Sequence, residues 1–129
     1  MRAWQIRWIA VCALSVFLMP AHADERADAN LLVQVAFVAG LQHYEGNKVF
    51  GRLEVGDALR LVRERRNSAD PNAIRVEWSG HVLGYVPGNV NESLARQMDF
   101  GNRLRARVLR LSRHRDPDRR IEMEIYLPL

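Results

Sequence analysis

The chain has 129 residues, of which 48% are hydrophobic, and a formal net charge of +4 from 19 basic and 15 acidic residues. This length suits one domain, and so mild a charge argues against a nucleic-acid binder that relies on charge alone. A single cysteine, Cys12, excludes a disulfide scaffold.

The first 23 residues have the pattern of a secretory signal peptide. Arg2 and Arg7 give a positive start, Trp8–Met19 an apolar run, and Ala21-His22-Ala23 a small-residue cleavage site. The run of about twelve apolar residues is shorter than the ~20 that a transmembrane helix needs. We therefore expect a periplasmic or secreted protein, cleaved at Ala23/Asp24, with no membrane span after cleavage; an uncleaved anchor is the alternative. Without the two arginines, 17 basic residues face 15 acidic ones, a net charge of +2.

The next segments predict a strand followed by an aromatic loop. Residues 24–30 are polar and predict a flexible lead-in, so that one domain fills residues 31–129. Apolar side chains alternate along Leu31–Ala39, which predicts a strand buried on at least one face. The aromatic loop follows at Gly40–Asn47. Lys48–Val55 also alternates, and it allows either an edge strand or a loop.

The centre of the chain predicts three antiparallel strands. Apolar and polar residues alternate along Ala58–Glu64, Ala73–Trp78 and His81–Pro87. Ser79-Gly80 suits a tight hairpin because Gly tolerates positive φ. Asp70-Pro71-Asn72 predicts a turn, since Pro presets φ and its neighbours can bond the backbone.

A short helix and a last hairpin complete the prediction. Leu94, Ala95 and Met98 share a helical face, with Asn91 as the expected N-cap and Gly101 at the C-terminal end. Two alternating runs then predict a hairpin with a long exposed tip; they are Arg103–Leu111 and Arg120–Leu127. Pairing Val108 with Met123 places both apolar sets on one side and puts Arg107 opposite Glu124. These elements predict a mainly β fold, a small OB-like or SH3-like barrel of about six strands with one or two short helices.

The ordered residues of the central strands resemble the HIRAN domain, a small β-rich module at the N-termini of some DNA-repair translocases. The pattern is L-x-R-E-x-x-N-x-x-D-x-N-A-I-x-V followed by G-x-x-L-G-Y-V-P, running from Leu61 to Pro87. The resemblance covers roughly residues 33–102. It implies a non-enzymatic nucleic-acid-binding module that recognises single-stranded DNA, with a preference for 3′ ends.

The resemblance also implies the binding residues. His43 and Tyr44 match two aromatic residues that grip terminal bases, and Gln42 replaces a basic residue of better-characterised members. Asp70 matches a carboxylate that accepts a hydrogen bond from a 3′-hydroxyl. Asn67 and Tyr85 would lie near the same groove. Four of these residues have a structural alternative. Tyr44 could plug the barrel, Asp70 or Asn67 could fix the loop, and Tyr85 could simply pack on its strand.

Other chemistry has little support in the sequence. Histidines lie far apart, and neither a phosphate-binding glycine loop nor a nucleophile motif occurs, so we expect no catalytic residue, metal or cofactor. Arg103, Arg105 and Arg107 are expected to pair with Glu122 and Glu124 across the last hairpin rather than to form a phosphate track. Arginines expected to be free for phosphate contact are Arg65, Arg66, Arg113 and Arg115.

Two partners remain open from the sequence. The first is single-stranded DNA or another nucleic acid, bound by a monomer. The alternative is an envelope protein or peptide that adds a strand to the edge at Lys48–Val55.

Overall fold

Six antiparallel strands and two short helices make up residues 29–129, the part of the chain that this computed structural model describes. The predicted signal peptide, and most of the predicted lead-in, lie outside the described residues. The strands are β1 (Asn30–Phe37), β2 (Ala58–Arg63), β3 (Ile74–Trp78), β4 (His81–Tyr85), β5 (Arg105–Leu111) and β6 (Ile121–Pro128). The helices are α1 (Gly46–Val49) and α2 (Asn91–Asp99).

The strands form one sheet in the order β1-β6-β5-β2-β3-β4. Its two edge strands, β1 and β4, do not pair with each other along their length. They meet just after β1 and at the end of β4, where Ala39 and Tyr85 exchange two backbone hydrogen bonds of 2.9 Å. The mainly β fold of six strands is confirmed. The predicted barrel is confirmed only in part, because the sheet does not close and a single bridge joins its two edges.

The last hairpin has the predicted register. Val108 lies opposite Met123, and Arg107 lies opposite Glu124, with which it forms an ion pair. A bulge after Val108 then shifts the register and brings Arg110 opposite Glu122. The alternation therefore identified both the inner and the outer face of this hairpin.

The sheet curves around one apolar core. Ile121, Met123 and Ile125 of β6 are fully buried, as the alternation of that strand predicts. The other fully buried large side chains come from β3, β4, β5, α2 and the segment after β1; they are Val38, Leu41, Ile74, Val76, Leu83, Leu94 and Val108. Helix α2 packs Leu94 and Ala95 into this core, as predicted.

Of the two conformations that the sequence allowed at Lys48–Val55, an edge strand or a loop, the edge strand does not form, because the segment starts with helical turns. Helix α1 covers its start, a 3₁₀ turn follows at Phe50–Arg52, and no strand forms there. Val49 and Leu53 are the buried residues of the segment, and their spacing of four fits helical turns. The edge that was expected to accept a peptide strand is therefore absent.

The sequence predicted the C-terminal end of helix α2 correctly but not its N-terminal cap. Asn91 is its first residue and not its N-cap, because its buried side chain donates to Asp70 instead of capping. At the other end the prediction is confirmed: Gly101 has φ of 95°, and its N–H donates to the carbonyl of Met98. With the bond from Asn102 N–H to the Gln97 carbonyl, this is a Schellman motif.

Both ends of the described chain lie side by side. The N–H of Leu129 donates to the carbonyl of Ala29 at 2.9 Å, just beyond the last pair of β1 and β6. Over residues 29–129, no helix is long and apolar enough to cross a membrane.

Candidate functional site

A tight turn presents three consecutive exposed side chains after β1. Gly40 starts the turn with φ of 80°, where glycine carries no Cβ penalty, and its N–H donates to Asp118 Oδ1 at 2.7 Å. The 3₁₀ turn that follows buries Leu41 completely. The next three residues, the predicted site residues Gln42, His43 and Tyr44, are exposed. We call Gly40–Asn47 the aromatic loop.

The end of the aromatic loop is fixed to β4. The Glu45 carboxylate accepts from the N–H of Val82 at 3.0 Å and contacts the His81 ring at 3.3 Å. Hydrogen bonding to His81, and then to Val82, lowers the pKa of Glu45 below its usual value. A Cβ on Gly46 would lie 2.6 Å from the Leu83 carbonyl oxygen, so only glycine allows the loop this close to the strand.

Tyr44 packs its ring against Tyr85 at the end of β4. The two ring centroids are 5.3 Å apart and the planes are inclined by 53°, within the range of favourable aromatic pairs. Tyr44 keeps 42% of its surface exposed, so its outer face is open. The structure thus brings two predicted site residues together and does not use Tyr44 as a fully buried plug.

The Glu64 carboxylate joins the Tyr44–Tyr85 pair to the next loop. It accepts from the Tyr85 hydroxyl at 2.7 Å and from Asn67 Nδ2 at 3.2 Å, and it forms an ion pair with Arg75. Burial by itself would raise the pKa of Glu64, but the hydrogen bonds and the guanidinium together lower it below its usual value. Glu64 is therefore an ionised acceptor that fixes Tyr85 and Asn67.

Tyr85 is held in its neutral, donating form. Burial raises the pKa of Tyr85, and the neighbouring Glu64 carboxylate adds to this, so that it reaches about 12. Because the hydroxyl already donates to Glu64, Tyr85 offers its ring rather than its donor to the surface.

The predicted turn around Asp70 is confirmed. Asn67 Oδ1 accepts from the N–H groups of Ala69 and Asp70 at 2.9 and 3.1 Å. Asp70 uses one carboxylate oxygen to accept from the N–H of Asn72 at 2.8 Å. Its other oxygen accepts from Asn91 Nδ2 at 2.7 Å, which ties the turn to α2.

An open groove of about 1030 Å³ lies beside this network. It exists because β2 pairs with β5 over only two residues, Ala58 and Leu59. The next pair in that register would set Arg60 against Arg105, and like charges directly opposite are destabilising. The strands separate from there, and the groove opens between them. Its lining residues are Leu61, Arg63, Glu64, Arg65, Arg66, Asn67, Ser68, Tyr85, Met98, Gly101, Asn102, Arg103 and Leu104.

The four arginines of the groove fall into two pairs. Arg63 and Arg65 both bind the Asp99 carboxylate, at 3.1 and 2.9 Å, so the prediction that Arg65 is free is wrong. Within the described residues, Arg66 and Arg103 have no carboxylate within 4 Å. The groove therefore contains two cations that are available to an anion.

The outer face of the last hairpin only partly follows the expected pairing. Glu124 pairs with Arg107 as predicted, but Glu122 pairs with Arg110, because the bulge shifts the register. Arg103 and Arg105 have no carboxylate partner in the described part of the chain, so the expected pairing is wrong for them.

The β5–β6 loop approaches the aromatic loop. Arg120 donates to Asn47 Oδ1 at 2.9 Å, and the Arg113 guanidinium lies 6.0 Å from the Phe50 ring centroid. Arg113 and Arg115 are exposed, and neither has a carboxylate within 4 Å in the described residues. Both thus lack an acidic partner among the described residues, as the sequence predicts.

The structure links some of the predicted site residues with one another and adds one that sequence reasoning missed. Tyr44, Tyr85 and Asn67 are linked through Glu64, while Gln42 and His43 lie beside them with their side-chain nitrogens 3.4 Å apart. Glu64 was part of the recognised pattern, but its role was missed. In residues 29–129, no cluster of three His, Cys, Asp or Glu side chains could hold a metal ion.

Comparisons with known proteins agree with this architecture. The profile of the HIRAN domain matches residues 31–129. A crystal structure of a protein from Lactobacillus plantarum is similar, with a TM-score of 0.66 and 30% sequence identity over 77% of this chain and 95% of that one. The crystal structure of the HIRAN domain of human HLTF has the same fold, with a TM-score of 0.56 and 20% identity over 77% of this chain and 80% of that one. No curated protein matched the chain.

Proposed function

Since this chain belongs to the HIRAN domain family, a family of nucleic-acid-binding modules, we propose that it binds single-stranded nucleic acid and catalyses no reaction. The binding surface consists of the aromatic loop, the turn from Asn67 to Asp70, and Tyr85.

One observation carries the proposal: an exposed aromatic ring packs on a tyrosine that lines a groove with two free cations. Tyr44 presents its outer face while Tyr85 supports it from behind. Tyr85 also lines the groove that contains Arg66 and Arg103. Proteins that bind single strands combine such rings, on which bases stack, with basic side chains along the backbone. A base in a duplex is already stacked, so this arrangement favours an unpaired strand.

The finer proposal is recognition of a 3′-hydroxyl end by Asp70. Each of its carboxylate oxygens accepts one hydrogen bond from the protein, and a carboxylate offers about four lone-pair sites. Asp70 therefore retains the capacity to accept from a hydroxyl. A 3′-phosphate in the same place would meet like charge.

A binding assay with matched variants tests the site. Fluorescence anisotropy with a labelled single-stranded oligonucleotide should show Tyr44→Ala weakening binding by ~1–3 kcal/mol, about 5- to 150-fold, because one stacked base is lost. Tyr44→Phe keeps the ring and should bind like the wild type. Two to four phosphate contacts would give a salt slope between about −1.4 and −2.8. Unchanged binding by Tyr44→Ala would contradict the proposed site.

Three oligonucleotides of one sequence test end recognition. The first ends in a 3′-hydroxyl, the second in a 3′-phosphate, and the third is circular. Preference for the first supports the role of Asp70, and equal binding of all three overturns it while leaving strand binding intact. If none binds at high protein concentration, the nucleic-acid proposal is wrong and an envelope protein or peptide becomes the better candidate.

The proposed location is the periplasm or the outside of the cell, on the basis of the N-terminal sequence pattern alone. There the strand would come from extracellular or envelope-associated DNA. Mass spectrometry of the exported fraction should find a chain that starts at Asp24. A full-length product in the cytoplasm would contradict this.

A further inference from the structure

Residues 29–129 expose two large aromatic rings, and both lie next to the groove. Tyr44 is 42% exposed and contacts Tyr85, which lines the groove. Phe100 is 82% exposed and precedes Gly101, which lines it as well. Single exposed apolar side chains are common, but an aromatic ring beside an arginine-lined groove is a more specific feature.

The fold holds Phe100 in this place without using its side chain. Phe100 is the C-cap of α2, and its N–H donates to the Arg96 carbonyl at 3.0 Å. The Schellman bonds from Gly101 and Asn102 fix the backbone on its other side. The core-facing residues of α2 are Leu94 and Ala95, with the partly buried Met98 packed beside them. The backbone of Phe100 is therefore fixed, while its exposed side chain is not required for packing.

The charges around Phe100 favour an anionic partner. The preceding residue, Asp99, is neutralised by Arg63 and Arg65. Glu64, which also lines the groove, is occupied by Tyr85 and Arg75. What remains uncompensated in the described groove is the positive charge of Arg66 and Arg103.

Two exposed rings, each adjacent to a residue that lines a groove with two free cations, suit several successive nucleotides. We propose that the groove carries the strand on from Tyr44 and Tyr85, with Arg66 and Arg103 on its phosphates, and that a base several nucleotides away stacks on Phe100. This extension rests on the proposed function, because it needs a strand bound at the aromatic loop. It assigns Phe100 a binding role and makes affinity depend on oligonucleotide length.

A length series separates the two sites. The probes are an oligothymidylate of about 3 nucleotides, which reaches the aromatic loop only, and one of about 12, within the ~4–16 nucleotides that a single OB-fold binds. Phe100→Ala should weaken binding of the longer probe about 5- to 150-fold, the loss of one stacked base, and leave the shorter one unchanged. Arg66→Gln with Arg103→Gln should reduce the salt slope for the longer probe by about 1.4.

Control variants make the outcome specific. Val55→Ala removes another exposed apolar side chain, 66% exposed and outside the groove lining, and should change neither affinity. Phe100→Leu keeps an apolar side chain but not the ring, and should behave like Phe100→Ala. Far-UV circular dichroism checks that each variant is folded.

Failure of the extension differs from failure of the proposed function. If wild-type protein binds both probes equally, or if Phe100→Ala binds the longer probe normally, the extension is wrong while the aromatic-loop site stands. If Tyr44→Ala does not weaken either probe, or no probe binds, the proposed function and the extension fall together.

Discussion

The Glu64 carboxylate can be tested directly, because one substitution removes three of its contacts. Glu64→Ala leaves the Tyr85 hydroxyl and the Asn67 amide without their acceptor and Arg75 without one of its two carboxylates. A hydrogen bond to a charged acceptor contributes about 1.5–3 kcal/mol. The Glu64–Arg75 pair adds less, ~0.2–1 kcal/mol, because 21% and 29% of the two side chains is exposed. Because the three contacts share one carboxylate, their contributions are not additive, and we expect a loss of about 2–4 kcal/mol in the free energy of unfolding, less than their sum.

Urea unfolding followed by far-UV circular dichroism measures this loss. For a domain of this size a change of 1 kcal/mol shifts Tm by about 4–8 °C, so Glu64→Ala should melt at least ~8 °C lower. Glu64→Gln keeps an acceptor and should lose about half as much. A double-mutant cycle with Tyr85→Phe isolates the hydroxyl bond. A loss below about 0.5 kcal/mol for Glu64→Ala would show that Glu64 does not hold the site.

The same carboxylate makes part of the stability depend on pH. The pKa of Glu64 is lowered on folding, so its contribution is fully present above the ordinary glutamate pKa of ~4.3. It is lost as the pH falls through the lower, folded-state value. The stability difference between wild type and Glu64→Ala should therefore be larger at neutral pH than at about pH 3. An equal difference at both pH values would refute the ionic role of Glu64.

Three further predictions concern the contacts of the site. Tyr85 should ionise near pH 12 in an absorbance titration, and the transition that is missing from Tyr85→Phe identifies it as Tyr85. Because folding raises the pKa of Tyr85, the stability that it contributes is present below pH ~10 and is lost as the pH rises to about 12. Gly84→Ala places a Cβ 2.1 Å from the Ala39 carbonyl oxygen and should break the bridge between the sheet edges. The loss of its two hydrogen bonds should lower the free energy of unfolding in urea by at least ~2 kcal/mol, and wild-type stability would contradict this. Asp70→Ala leaves the buried Asn91 amide without its acceptor. It should lower the free energy of unfolding of the ligand-free protein by about 1–3 kcal/mol, whereas an unchanged value would make Asp70 a ligand contact only.

The sheet could be predicted well where one face is buried. A slip of one residue turns every side chain to the other face, so the alternation around Val108 and Met123 specifies the register of the last hairpin. The turn at Ser79-Gly80 was equally well defined, because both residues adopt positive φ, 46° and 81°. These predictions depend on neighbouring residues in the sequence, and they are confirmed.

Predictions that depend on distant partners were less successful. Val49 and Leu53 fit an alternating pattern as well as a helical one, and the bonds of Glu45 to β4 favour the helical conformation. Asn91 has the composition of an N-cap, but its amide binds Asp70, 21 positions earlier. A local propensity is a weak preference, and tertiary contacts override it.

The candidate site shows the same division. The recognised pattern contained Asn67, Asp70 and Tyr85, because family spacing is visible in the sequence. The pairing of Arg65 with Asp99 joins residues 34 positions apart, and nothing in the local sequence indicates it. The groove itself results from the early separation of β2 and β5, which becomes visible only when the register is known.

The hydrogen bond between Leu129 and Ala29 has a consequence for how this domain can be carried by other proteins. Because the first and last strands are neighbours, a host chain can enter and leave the domain at almost the same point. Such a domain can be inserted into a surface loop without stretching it, and its old ends can be joined by a short linker while new ends are opened elsewhere. Any insertion must keep both ends, since among the described strands β6 is the only one that pairs with β1 along its length.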